Sequence, residues 1–260
     1  MGAKCSSKVA VKESILLSLL AGKKDVATLT EETQIIGTTI LHVLKQLELA
    51  ELTTKASGVY SLTSLGVIEA RICIWHRLSS DTLKIHKDFW LQHNVTSIPP
   101  TLMMNIGALS EATLLQATPD SLEKVHTHFI ELLSTAKTIW GVSPVFHPDF
   151  VDAFRELLNN GVKIQLIATP AVLEKFKKIG NDVLNTHIPT GNLQLFAKEE
   201  ILFALTVTDK QFSFGLFDLF GRYDNNAELI GDEEKGLTWT HQLFKDTLMH
   251  STPYVYQNTQ

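Results

Sequence analysis

Ten histidines and two cysteines are the residues with the widest chemical reach in this 260-residue chain, and their spacing sorts them. His126 and His128 stand two apart. On a helix such residues point in different directions and chelate poorly, so the pair reads as surface histidines. His86 and His93 are seven apart on one helical face, too far to share an ion without a third ligand, so metal or haem coordination gains no support from them. Cys73 falls in an apolar helical stretch, where a cysteine serves as a small core residue. Cys5 lies near the start of the chain. Two cysteines cannot make a disulfide framework and suit a reducing cytoplasm. No glycine-rich phosphate loop, GxSxG elbow or HExxH pair occurs. No catalytic group, metal ion or cofactor is therefore expected.

A different constellation, Thr38, Thr39, His42, Lys45 and Gln46, has a clearer chemistry. Threonine and glutamine bond to base edges or phosphates, and His42 and Lys45 suit phosphates. These residues lie on the face opposite Ile40, Leu44 and Leu47, so one amphipathic helix positions them. Upstream, Val9–Ala21 reads as a helix with Ile15, Leu16, Leu19 and Leu20 at helical spacing, stopped by Gly22. Asp25 caps a second helix carrying Val26 and Leu29. A tight turn at Gln34–Ile36 leads into the third. Downstream, an extended Leu52–Thr54, a turn at Lys55–Gly58 and a strand Val59–Leu62 make a β-hairpin. Three helices and a hairpin are the order of a winged helix-turn-helix, whose third helix enters the major groove and whose wing, here with Lys55, follows the backbone. Double-stranded DNA is the partner this implies. The same polar residues would also serve as the solvated face of a small helical bundle.

Composition bounds the alternatives. At ~100–200 residues per domain the length allows one large domain or two modest ones. The hydrophobic share of 44% and charged share of 20% are those of a folded protein. No apolar run approaches the ~18 residues of a membrane span, and the first twelve residues lack a secretory core, so a cytoplasmic protein with no membrane partner is expected. The net charge of −5 excludes a surface coated with basic groups. Through Arg77, however, nine Lys/Arg stand against seven Asp/Glu. The acidity therefore belongs to the remainder.

A long helix follows the hairpin from Thr63-Ser64, continuing in pattern through Leu78, Leu83 and Phe89–Leu91. Its Ile68, Ile72, Ile74 and Trp75 are candidates for a homodimer contact, or alternatively pack on the chain's own second part. Beyond Pro99-Pro100, Leu102–Leu109 reads as helix, and Thr118-Pro119 as the cap of another carrying Leu122, Val125, Phe129, Leu132, Leu133 and Ala136. Thr138–Ser143, a helix opened by Pro148, Val162–Ala168 and a helix capped by Thr169 then form a βαβ unit with parallel strands. Leu193–Phe196 is a further strand, Ile201–Phe217 a hairpin around Asp209-Lys210, and Asp232 starts the last helix. Ligands favour the carboxyl ends of parallel strands. Helix N-termini there attract anions. Ser143, His147 and Thr169 occupy those ends and are candidate effector ligands, while ordinary capping would equally account for Thr169.

Three resemblances add to this reading. Thr38–Leu52 resembles the recognition helix and exit turn of bacterial and archaeal winged-helix repressors, Ser-Thr-Val-x-x-x-Leu-x-x-Leu-x-x-x-Gly-Leu. Glu51 departs from it, standing where glycine is usual, and Lys55 is the only wing cation where several are common, which implies modest DNA affinity for one subunit. Phe89–Asn94, Ile98–Pro100, Asn105–Leu109, Val142–Pro148, Leu216–Asp218, Gly221–Asp224 and Trp239–Phe244 resemble the effector-type domain of methanogen winged-helix regulators. The resemblance implies an archaeal regulator that dimerises or senses a small molecule, and it adds Tyr223 and Asp224 to the effector candidates. The βαβ core is also similar to phospholipase D-like folds, whose His-x-Lys-x4-Asp signature His86-Lys87-Asp88 does not reproduce.

The expectation is thus a mixed α+β or α/β chain. Residues 1–80 form a winged helix-turn-helix, and 81–260 an α/β effector-binding or dimerisation domain, phospholipase D-like in outline. The expected function is sequence-specific DNA binding by a homodimer under the control of an unidentified small-molecule effector, without enzymatic activity. A winged helix serving as a protein-interaction module of the transcription machinery is the alternative, and a phospholipase D-like phosphodiesterase a remoter one.

Overall fold

The computed structural model describes residues 3–256, Pro119 and Leu122 excepted, with side chains from Val9 onward. The chain divides into two compact units, Met1–Leu78 and Ser79–Gln260.

In the first unit, α1 (Ala3–Leu20), α2 (Val26–Thr33) and α3 (Gly37–Leu49) precede a hairpin of β1 (Thr53–Ala56) and β2 (Val59–Leu62). The Asp25 carboxylate accepts from the Thr28 N–H at 2.8 Å and so caps α2. Gln34, in the left-handed region at φ 57°, turns the chain toward α3. Ile40, Val43, Leu44 and Leu47 of α3 share one buried core with Ile15, Leu16, Leu19 and Leu29, each worth about 1.5–3 kcal/mol when fully buried. This stripe fixes which face of α3 remains outside.

The exit from α3 keeps its turn without glycine. Glu51 itself takes φ 57°. The Leu52 N–H donates to Leu47 O at 2.9 Å and the Glu51 N–H to Glu48 O at 3.0 Å, the paired bonds of a Schellman motif. The hairpin is tighter than the Lys55–Gly58 turn read from sequence. Lys55 pairs with Tyr60 and Ala56 with Val59. Ser57 and Gly58, both at positive φ, form a two-residue turn that matches the strand twist. Helix α4 (Ser64–Ile85) follows. Thr63 Oγ1 accepts from the Gly66 N–H at 3.0 Å and donates to Glu51 O at 2.7 Å.

The second unit contains α5 (Lys87–Gln92), α6 (Pro100–Met104), a 3-10 turn at Ile106–Leu109, β3 (Thr113–Gln116), α7 (Lys124–Ser134), β4 (Thr138–Ser143), α8 (Asp149–Asn159) and β5 (Lys163–Ala168). It continues with α9 (Pro170–Ile179), α10 (Asn181–His187), β6 (Leu193–Ala197), β7 (Phe203–Thr208), β8 (Phe212–Phe217), β9 (Tyr223–Gly231), α11 (Glu234–Met249) and β10 (Thr252–Pro253). The strands form one eight-stranded sheet in the order β10-β6-β5-β4-β7-β8-β9-β3. β4, β5 and β6 are parallel and the other pairings antiparallel. One face packs Leu205, Phe212, Phe214 and Leu229 with Trp239, Leu243 and Phe244 of α11. The other packs Ile139, Ile164 and Leu166 with residues of α7, α8 and α9.

Sequence expectation and structure differ at three places here. Leu102–Leu109 is interrupted, because the chain passes from α6 into a 3-10 turn at Asn105. Thr118 does not cap a helix. It exchanges backbone bonds with Ser121 in an isolated bridge, and α7 begins only at Lys124; Pro119 and Leu122 lie outside the described residues. β9, which carries residues of the candidate site, was not anticipated between the hairpin and the last helix.

Candidate functional site

On α3, Thr38, Thr39, His42, Lys45 and Gln46 are all exposed. His42 Nε2 and Gln46 Nε2 lie 3.1 Å apart, one turn from each other. Thr38, His42 and Lys45 point most directly away from the buried stripe, because helical geometry places them about half a turn from Leu44 and Leu47. Exposed Leu41 and Leu49 border them. In the hairpin, the Lys55 ammonium sits 5.1 Å from the centre of the Tyr60 ring. Nearby, Lys24 is committed to the Glu32 carboxylate.

Along α4, Ile68 and Ile72 are 57% and 52% exposed and share an apolar face with Leu65 and Trp75. Ile74 does not join them. A residue two beyond Ile72 comes out on another side of the helix, and Ile74 is half-buried there. Cys73 is a free, buried cysteine whose thiol is pushed up by burial, as a core residue's would be; the side chain of Cys5 lies outside those described.

The second unit holds a cavity of about 880 Å³ on the sheet face covered by α7, α8 and α9. It opens there because Gly141, Ala204, Thr206 and Ser213 put small side chains, or none, over neighbouring strands. Phe129, Phe146, Phe150, Phe154 and Phe176 form much of the wall. Phe129 and Phe150 meet at 4.8 Å between ring centres. Ser143, His147 and Tyr223 line the cavity, whereas Thr169 and Asp224 do not. Thr169 Oγ1 accepts from the Val172 N–H at 3.4 Å, so its hydroxyl is spent on capping α9. Asp224 turns to His93, with Oδ2 3.1 Å from Nε2, while His93 Nδ1 lies 2.6 Å from Phe89 O. Ser143 donates its own hydroxyl proton to Val145 O at 2.6 Å.

The residue with the most distinctive environment is one that sequence reading passed over. Glu228 on β9 is only 8% exposed. Tyr223 donates its hydroxyl to Glu228 Oε1 at 2.9 Å, and Ser213 donates to Oε2. Burial pushes the Glu228 carboxyl above the usual carboxylate range, outweighing those two hydrogen bonds. Burial, followed by the neighbouring Glu228 charge, pushes the Tyr223 phenol well up. Gly215 makes room for this arrangement, since a Cβ there would meet the Tyr223 hydroxyl at 2.8 Å. The available signal was a glutamate between Ala227 and Leu229 in a strand-forming run.

At the exposed rim, His126 stacks near His147, with 5.0 Å between ring centres. Each approaches Asp149 Oδ2 to 3.5 Å. His128 faces elsewhere, so His126 finds its partner on the β4–α8 loop rather than two residues along its own helix. Among the described residues no group of three His, Cys, Asp or Glu is placed to hold a metal ion, and no helix is long and apolar enough to cross a membrane. His86 is buried, with Nε2 3.0 Å from Ala112 O, and burial lowers its pKa.

Comparison with known proteins supplies a family. The N-terminal domain model of methanogenesis regulatory protein FilR1 matches residues 4–74, and the middle domain model of the same protein matches residues 122–249. The methanogenesis regulatory protein FilR1 of Methanothrix harundinacea (strain 6Ac) is 28% identical over 253 residues, covering 90% of this chain and 54% of that protein. The chain thus spans about half the length of this curated relative. Among solved structures, TrmBL2, an archaeal chromatin protein, is 18% identical with a TM-score of 0.45 and covers 92% of each chain. NucT from Helicobacter pylori is 14% identical with a TM-score of 0.44, over 55% of this chain and 98% of that one. With the N-terminal and middle domains matched in order, the chain belongs to the family of methanogenesis regulatory proteins that these two domains define.

Proposed function

We propose that the chain is a transcriptional regulator that binds double-stranded DNA through α3, works as a homodimer and takes a small-molecule effector in its second unit. The observation that carries the reading is the division of α3 into a buried stripe and an exposed face of Thr38, Thr39, His42, Lys45 and Gln46, set beside a hairpin with Lys55. Hydroxyls, an amide, an imidazole and an ammonium on one outward helix face suit base edges and phosphates. Family membership supports the regulatory role. The exposed Leu65, Ile68 and Ile72 support pairing of two copies, and two half-sites would offset the few phosphate contacts of one. The cavity supports effector binding at Ser143, His147 and Tyr223, which line it, while Thr169 caps α9 and Asp224 turns to His93. Mobility shifts of genomic fragments at low salt test the reading. Sequence-preferring binding that is lost in the His42→Ala, Lys45→Ala double variant supports it; sequence-independent binding, or none, sinks it.

A protein-interaction role for the first unit is the second reading. Leu41 and Leu49 are exposed beside the α3 polar face, and Lys24 is tied to Glu32. Capture of a transcription-machinery protein by the chain, without a DNA shift, would favour it. A phospholipase D-like phosphodiesterase has less to stand on: His86 is buried against Ala112 O. Phosphodiesterase turnover abolished by His147→Ala would reinstate it.

A further inference from the structure

The cavity of the second unit has a charge balance that the helix N-termini around it do not suggest. Those N-termini favour anions. Yet the formally charged side chains among the described lining residues are Glu123, Asp149 and Glu228, and no lysine or arginine lines the space. The lining histidines, His126 and His147, sit at the exposed rim and face Asp149, and His128, outside the lining, acts on Glu228. Glu228 is the buried one. Its two oxygens already accept from Tyr223 and Ser213, and an ionised carboxylate keeps lone pairs for further donors. The walls are aromatic, with Phe129 against Phe150 and Phe154 6.0 Å from Phe176. An anion entering this space would meet carboxylates and ring faces, both of which repel it. A cation would meet a carboxylate and ring faces, both of which attract it. The volume also exceeds what a bare inorganic ion needs and falls in the range of organic ligands.

We propose that this cavity binds a small amphipathic organic cation, a primary amine on an aromatic or branched apolar body, with its ammonium group against Glu228 and its body among the phenylalanines. The proposal deepens the effector reading and rests on it for biological meaning, though the binding itself is independent of DNA. The protein's electrostatics add a signature. Burial pushes the Glu228 carboxyl up, the Ser213 and Tyr223 hydrogen bonds and His128 favour its charged form, and Asp224 opposes it. An ammonium ion binds the ionised carboxylate, so affinity rises as pH rises through the range in which Glu228 titrates.

The experiment is calorimetric titration of the full chain with three probes of one shape: phenethylamine, neutral 2-phenylethanol and anionic 3-phenylpropanoate. The expected result is that the amine binds most tightly, more so as pH rises from acid to neutral, and the carboxylate does not bind. Glu228→Gln should weaken the amine about 10- to 100-fold, the scale of a lost charged hydrogen bond, and leave the alcohol unchanged. Ala204→Leu, which narrows the cavity from β7 and leaves the Glu228 carboxylate in place, should weaken both. Carboxylate binding equal to the amine's, absence of amine binding to the folded chain, or an unchanged amine affinity in Glu228→Gln overturns the proposal. If Glu228→Gln does not fold, pH dependence and Ala204→Leu decide: amine binding that does not strengthen from acid to neutral pH, or that is unaffected by Ala204→Leu, overturns it. Amine binding that leaves DNA affinity unaltered upholds this inference and removes the effector reading alone.

Discussion

A Cβ on Gly66 would stand 1.9 Å from the carbonyl oxygen of Leu52. That oxygen also accepts from the Thr63 N–H at 3.0 Å, so the start of α4 is pressed against the end of the α3 turn by backbone on both sides. Neither partner can yield as a side chain would. Helix propensity alone would favour alanine at this position by about 1 kcal/mol. We predict the opposite sign: Gly66→Ala destabilises the first unit by about 1–3 kcal/mol, the cost of overpacking. Urea unfolding followed by far-ultraviolet circular dichroism checks it. A neutral or stabilising alanine would show that the two segments are not in this contact.

Glu51 gives the reverse case. It holds a left-handed conformation that disfavours any residue with a Cβ. Glu51→Gly should stabilise by about 0.5–1 kcal/mol, the relief of strain reduced by the greater freedom of glycine in the unfolded chain. The shift in melting temperature measures this. A loss of stability would mean that the glutamate side chain contributes a contact worth more than the strain.

Glu228 sets a pH dependence. Burial raises its pKa on folding, so the folded chain holds this proton more tightly than the unfolded one. The stability that results is fully present below the unfolded pKa and is lost as pH rises through the folded pKa. Stability should therefore fall across the interval between the two values, and Glu228→Gln should flatten that part of the profile. Unfolding free energies measured from mildly acidic to neutral pH would expose an unchanged slope in the variant, which would contradict the assignment.

Thr169 separates capping from ligand contact. Its hydroxyl is bonded to the Val172 N–H and does not line the cavity. Thr169→Ala should cost about 0.5–1 kcal/mol of stability, Thr169→Ser should restore most of it, and neither should change the affinity of any cavity ligand. A variant of native stability with weakened binding would return Thr169 to the effector site.

Lys45 supplies a test of phosphate contact on α3. Lys45→Ala should weaken DNA binding by a similar factor on every sequence and lower the slope of log affinity against log salt by about 1. Competition between an operator fragment and unrelated DNA at several salt concentrations distinguishes this from a loss of selectivity, which would point to base contact instead.

Local pattern made some elements legible and hid others. The Ile40–Leu47 stripe, the Asp25 and Thr169 caps and the successive elements of the β4–α8–β5 unit each announce themselves in their own short stretch of sequence, because helical period and capping chemistry are local. β9 does not. Its Tyr223–Asn226 half is polar and turn-like, and its strand character comes from pairing with β8 across a short turn and with β3, far back in the sequence. The same holds for the cavity. Tyr223 and Glu228 acquire their environment from Ser213 and from the absence of a side chain at Gly215, neither of which spacing reveals. His126 meets His147 across two elements, while the adjacent letters His126 and His128 invited comparison with each other. Ile74 was grouped with its neighbours by hydropathy, although its side of α4 is not theirs.

The small residues Gly141, Ala204 and Ser213 have one more implication. The part of the sheet face they occupy forgoes contacts that the opposite face, with Phe212, Phe214 and Leu229, makes in full. Ala204 is the position where a larger side chain would trade cavity space for packing, because a Cβ at Gly141 would already stand 3.0 Å from Leu166 and Ser213 donates to Glu228. Proteins commonly show this trade at the places where they must remain able to respond. Here the open stretch is confined to the middle strands of one sheet face, and the opposite face together with the β5–β6 flank of this one holds the fold.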